Sequence, residues 1–122
     1  MLDFLFKKVE FKKQPRECIS GFKIAGITKK NEDGSKRQDI VRTLKEGDKL
    51  ILKVYDFNGR KAIGVYTEDN RQLGNIKEED IVYVLDKMKT MTKCYIHDID
   101  CFCDGFGKTI YYARVVICYM QK

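Results

Sequence analysis

Cys94, His97, Cys101 and Cys103 form a C-x2-H-x3-C-x-C run, four soft ligands within ten residues. Zinc is held by such donors when they converge on one point. Successive side chains of a strand alternate faces. His97, Cys101 and Cys103 then share one face, Cys94 takes the other, and convergence needs a bulge. The spacing matches no common knuckle or ribbon, and small half-buried cysteines explain it as simply. His97 is the chain's one histidine. It could activate Cys101 or Cys118 as a nucleophile, but no oxyanion-hole turn accompanies the pair. Asp98 and Asp100 share a strand face, and with Asp104 they would suit a two-metal site. Asp104, however, stands beside Gly105 in a turn, where aspartate is ordinary. The glycine patterns of nucleotide-binding loops are absent. The residues therefore predict a non-catalytic chain with no cofactor and no assigned metal.

Binding chemistry is better represented than catalytic chemistry. Lys plus Arg number 24 against 18 Asp plus Glu, a net charge of +6. A basic small domain draws polyanions through its summed field. Within residues 1–16, Phe4, Leu5, Phe6, Val9 and Phe11 are interleaved with basic residues. Such interleaving suits a nucleic-acid surface. It equally describes an edge strand or short helix that docks its aromatics and leaves its lysines in water, which is the simpler expectation. Pro15 interrupts regular structure after it. Five cysteines without an export signal point to reduced thiols and a cytoplasmic protein. The opening run carries an acid among its apolar residues and lacks a cleavage site. The apolar runs are too short for a membrane span, so no membrane partner is expected. A chain of 122 residues, 43% hydrophobic, can build the core of one domain.

The elements that must position these residues are short. Cys18 to Thr28 alternates as a strand buried on parts of both faces. Ser35 and Gln38 have capping-box spacing before a helix carrying Ile40, Val41 and Leu44, with Gly47 as its C-terminal cap. Asp48 to Asp56 is a strand, 57–61 a polar loop and Ala62 to Thr67 a second strand. Residues 68–71 turn into Gln72 to Ile76. Gly64 and Gly74 within strands predict bends or close backbone approach. Asn75 is spaced to cap a helix that opens on Glu78, Glu79 and Asp80 and buries Ile81, Leu85 and Met88. Residues 91–103 and 109–120 form a long terminal hairpin. The order β–α–β–β–β–α–β–β predicts a mainly β fold with two short helices, a small closed or partly open barrel.

The arrangement Arg37-Gln38, Ile40, Leu44, Gly47-Asp48, Leu50, Leu52, Asn58, Ala62-Ile63, Val65, Leu73-Gly74 and Ile76 resembles the HIRAN domain family, with F-K-I-A-G-I-T as its flanking strand. The resemblance covers about residues 22–88 of a single domain spanning 1–122, and 89–122 adds the terminal hairpin. It implies a modified OB-like β-barrel that binds single-stranded DNA or DNA ends. It also implies a stand-alone bacterial or phage type, with a helicase or nuclease as possible protein partner. Carried over position by position, the binding residues are Thr28 and Lys29 after the flanking strand, Asn58 in the central loop, and Asn75 and Lys77 before the second helix. The stacking aromatic beside Lys29 and the Pro-Tyr-Asp of the central loop are absent here. What remains is a phosphate-and-stacking surface of Lys29, Arg37, Phe57, Asn58, Arg60, Lys61 and Lys77 around one barrel mouth. The expected ligand is nucleic acid, DNA more than RNA. The alternative is a protein-interaction module without the nucleotide pocket.

Overall fold

The structure is a computed structural model that describes residues 16–121. The aromatic-basic segment of residues 1–16 therefore lies outside the described residues, apart from Arg16. The elements run β1 (Arg16–Ala25), α1 (Arg37–Arg42), β2 (Leu50–Phe57), β3 (Arg60–Thr67) and β4 (Gln72–Ile76). A 3-10 turn (Glu78–Asp80) then leads into α2 (Ile81–Met88), β5 (Met91–Cys103) and β6 (Thr109–Gln121). All six strands form one antiparallel sheet in the order β2-β3-β4-β1-β6-β5. The fold is mainly β, as the alternating strands predict. No helix among the described residues is long and apolar enough to cross a membrane.

The sheet curls until its two edge strands meet. The Gly47 N–H donates to the Ile96 carbonyl at 2.8 Å, and the Ile96 N–H donates to the Asp48 carbonyl at 2.8 Å. Lys49 and Tyr95 form a single antiparallel bridge beside them. Elsewhere the β2 and β5 edges are not joined, so the fold is barrel-like and not closed by a continuous ladder. The terminal hairpin supplies the sixth strand, and with it the seam. Ile63, Val65, Leu73, Ile96, Val115 and Ile117 face inward and are fully excluded from water. Val84 of α2 joins them, with Ile81, Leu85 and Met88 partly buried around it.

Several local expectations are corrected. β1 stops at Ala25 because Gly26 takes φ +69°, outside the strand region. The Ser35–Gln38 capping box does not form: Lys36 occupies the N-cap position and makes no side-chain cap. Ser35 turns back onto Asp33, donating from both its hydroxyl (2.6 Å) and its N–H (2.9 Å). Gly47 lies beyond the helix, whose C-cap is Thr43, and serves the seam. Residues 57–61 are hardly a loop. Phe57 pairs with Arg60, leaving Asn58 (φ 51°) and Gly59 (φ 79°) as a two-residue turn. Positive φ at both positions is the turn that matches strand twist, and Asn-Gly is its favoured pair. Asn75 caps nothing, because its side chain is drawn into the outer face of the sheet.

Gly64 and Gly74 do mark close approaches. A Cβ on Gly64 would lie 2.6 Å from the Tyr66 ring, and one on Gly74 would lie 2.3 Å from Ile24 Cγ2.

Candidate nucleic-acid interface

Leu50 and Leu52 of β2 are buried, so the alternate residues Tyr55 and Phe57 belong to the opposite face. A cavity of about 740 Å³ opens there. Tyr55, Ala62 and Asn75 contribute to its lining, with the ends of β1 and β4. Asn75 Nδ2 donates to the Tyr55 hydroxyl, which fixes both side chains.

Arg37 forms one wall and is only 8% exposed. Its Nε donates to Asn31 Oδ1 at 2.8 Å, and its Nη1 donates to the Gly26 carbonyl at 3.0 Å and Asn75 Oδ1 at 3.5 Å. A Cβ on Gly26 would come within 3.0 Å of that Nη1. Among the described residues no carboxylate forms an ion pair with Arg37. A desolvated guanidinium matched only to neutral acceptors retains an unbalanced charge. An anion entering the cavity would supply the missing counter-charge.

The β2–β3 turn forms the rim with Phe57, Asn58, Arg60 and Lys61, and Lys29 closes the side nearest Arg37. Phe57 is largely exposed. Glu78 is the one carboxylate of the lining among the described residues, and it accepts from Arg60 Nη1 at 2.7 Å. Both partners of that pair are well exposed, so water and salt weaken it.

Seven of the nine expected binding residues therefore line one cavity: Lys29, Arg37, Phe57, Asn58, Arg60, Lys61 and Asn75. Thr28 is exposed beside Lys29 and does not contribute to the lining. Lys77 faces a neighbouring cavity instead. Tyr55, which lies near the loop but out of register with the family pattern, also lines the cavity, two residues before Phe57 on the same strand face. Gln38, spaced as a helix cap, instead bonds the backbone of Tyr111. Its amide donates to the Tyr111 carbonyl at 2.9 Å and accepts from the Tyr111 N–H at 2.8 Å.

The cysteine-histidine run does not converge. A bulge does occur at His97, between the pairs Ile96–Val115 and Asp98–Arg114. Cys94 is buried while Cys101 and Cys103 are exposed near the hairpin tip. At about 3.3 Å per residue, roughly 20 Å of strand separates Cys94 from Cys101. Burial, with a smaller contribution from nearby Cys118, pushes the Cys94 thiol up to about 12. No group of three or more histidine, cysteine or acidic residues gathers for a metal among the described residues. Asp98 is taken by Arg114, whose Nε donates to Oδ1 at 2.8 Å and whose Nη2 reaches Oδ2. That bond holds the Asp98 carboxyl below its usual range.

No protein-family model, curated protein or solved structure matches the chain.

Proposed function

We propose that this chain is a non-catalytic, cytoplasmic module that binds single-stranded nucleic acid, DNA in preference to RNA. The observation that carries the reading is Arg37. It is a buried guanidinium with no carboxylate partner among the described residues, lining a cavity that Lys29, Arg60 and Lys61 also border. Phosphate matches such a site in charge and geometry. Phe57 and Tyr55 offer rings to bases regardless of sequence, the chemistry by which single strands are held. The resemblance to HIRAN domains points the same way, and it makes a helicase or nuclease acting on that strand the class of protein the module would serve. The Pro-Tyr-Asp that the resemblance associates with a terminal hydroxyl is absent, and among the described residues the lining offers one carboxylate, Glu78, beside Arg60. Phosphate and base contacts, not capture of a terminal hydroxyl, therefore carry the affinity.

The test is a fluorescence titration with short labelled single strands, their 3′ ends free or blocked, at two salt concentrations. Binding that weakens with salt and ignores the 3′ block is expected. Arg60→Ala with Lys61→Ala weakens it while thermal unfolding stays cooperative. Absence of binding at low salt overturns the reading.

A further inference from the structure

β5 and β6 outrun the rest of the sheet. The last pair between β1 and β6 is Lys23–Arg114, whereas β5 and β6 stay paired to Cys103–Thr109. Residues 99–113 thus extend past the end of β1 as an arm whose inner side packs on the core through Ile99, Tyr111 and Ala113 and whose outer face is open. Asp98, Asp100 and Phe102 of β5 alternate on the face they share with Arg114 and Tyr112 of β6. Phe102 and Tyr112 are parallel, with ring centroids 5.1 Å apart and planes 9° from coincident. They remain 45% and 41% exposed, so the stack has an open end.

A second cavity of about 510 Å³ lies at the root of this arm, lined by Lys23, Lys77, Arg114, Asp98, Asp100 and Tyr112 among others. It adjoins the first cavity. Ile24 and Lys77 line the second while Ala25, Ile76 and Glu78 line the first, so one paired β1–β4 end is the wall between them. Arg114 is occupied by Asp98, but Lys23 and Lys77 form no ion pair among the described residues. Asp100 Oδ1 accepts its neighbour's N–H. Its remaining acceptor capacity suits the exocyclic amino group of a base such as cytosine.

We infer that the outer face of this arm is a second strand-binding subsite. Tyr112 and Phe102 stack a base, and Lys23 and Lys77 take the phosphates that lead to it from the first cavity. The inference rests on the reading of the first cavity as a single-strand site. A strand long enough to leave that cavity crosses the β1–β4 wall and meets aromatic rings, and each stacked base adds affinity without sequence demand.

The experiment compares oligodeoxycytidylates of about four and about twelve nucleotides on the full chain, its Tyr112→Leu and Tyr112→Phe variants, and Lys23→Gln. Thermal unfolding is monitored throughout. The wild type binds the longer strand more tightly than the increase in available registers explains. Tyr112→Leu lowers affinity for that strand by about five- to a hundredfold, as the loss of one stacked base does. It leaves the short strand's affinity unchanged, and Tyr112→Phe retains the gain. Lys23→Gln keeps the arm's rings and lowers both the affinity for the long strand and its salt dependence. If the short strand binds but length brings no gain, or if Tyr112→Leu and Lys23→Gln both keep the gain, the second subsite is wrong and the first reading stands. If neither length binds, the first reading has failed and the subsite falls with it.

Discussion

Arg37 is the residue on which structure and proposed function meet. Its three hydrogen bonds join α1, the end of β1, the 31–35 turn and β4, so it is a structural clamp as well as a charge. Lysine preserves the charge but not the fork. Arg37→Lys is therefore expected to cost about 1–3 kcal/mol in urea unfolding and to weaken strand binding beyond that of a surface lysine variant. Glu78 acts in the opposite sense. It occupies Arg60 in an exposed pair worth little to stability, and its charge repels phosphate. Glu78→Gln should tighten binding severalfold while moving the unfolding midpoint hardly at all; weaker binding would mean that Arg60 depends on Glu78 for its position. Cys94 sets a limit on alkaline stability. Its thiol titrates near 12 in the folded chain and near 9 when free of burial. Above about pH 9 the unfolded chain loses this proton while the folded one keeps it, so stability falls as pH rises from 9 towards 12. A loss of about 2 kcal/mol by pH 10.5 is expected, read as the shift of the urea midpoint between pH 8 and pH 10.5. Cys94→Ala should remove that part of the shift.

At the scale of elements, α1 is a six-residue helix with no side-chain N-cap. A helix this short owes its stability to what it packs against. Gln38 supplies part of that, since its amide exchanges two hydrogen bonds with Tyr111 as a strand residue would, just past the point where β1 ends. It also donates to the Ile27 carbonyl at 3.1 Å. Gln38→Leu strips these partners from part-buried backbone, for an expected cost of about 2–3 kcal/mol. Amide exchange at Tyr111 should accelerate before the rest of β6; if it does not, Gln38 is not what protects that edge. This pairing explains what the sequence could and could not disclose. The bounds of the terminal hairpin are legible almost to the residue, because two long alternating strands are divided by D-G-F-G-K, but the bulge at His97 that shifts their register is not. The Asn-Gly turn was equally present in the sequence, yet a reading of residues 57–61 as a polar loop hides it. Ser35, Gln38 and Asn75 have the spacing of caps, but each side chain finds a partner other than the helix end. For Gln38 and Asn75 those partners lie far along the chain, and local spacing cannot register such competition. The cationic rim was legible by residue type. The matching of Arg37, among the described residues, to neutral acceptors alone was not, because it depends on three backbone segments arriving together.

For the whole molecule, the question is whether the net charge of +6 acts as a diffuse field or through one mouth. The seam between β2 and β5 fixes the curl of the sheet, and the curl gathers Lys29, Arg37, Arg60 and Lys61 around a single cavity. If these four cations each neutralise a phosphate, affinity for a short strand should fall with salt along a log–log slope of about −3, at about 0.7 per contact for single strands. Removing Arg60 and Lys61 together should flatten the slope to about −1.5. Lys45 and Lys93 are exposed and line neither cavity. Replacing both with alanine lowers the net charge from +6 to +4, the same change as the rim double variant. A diffuse field depends on the total, so both double variants would lose affinity and slope equally. A built site depends on position. Lys45→Ala with Lys93→Ala should therefore leave the slope near −3 and the affinity within about twofold of wild type, the small residue of long-range screening. Equal losses in the two double variants would mean that the chain binds polyanions by net charge alone, and that the cavity beside Arg37 is not where the strand lies.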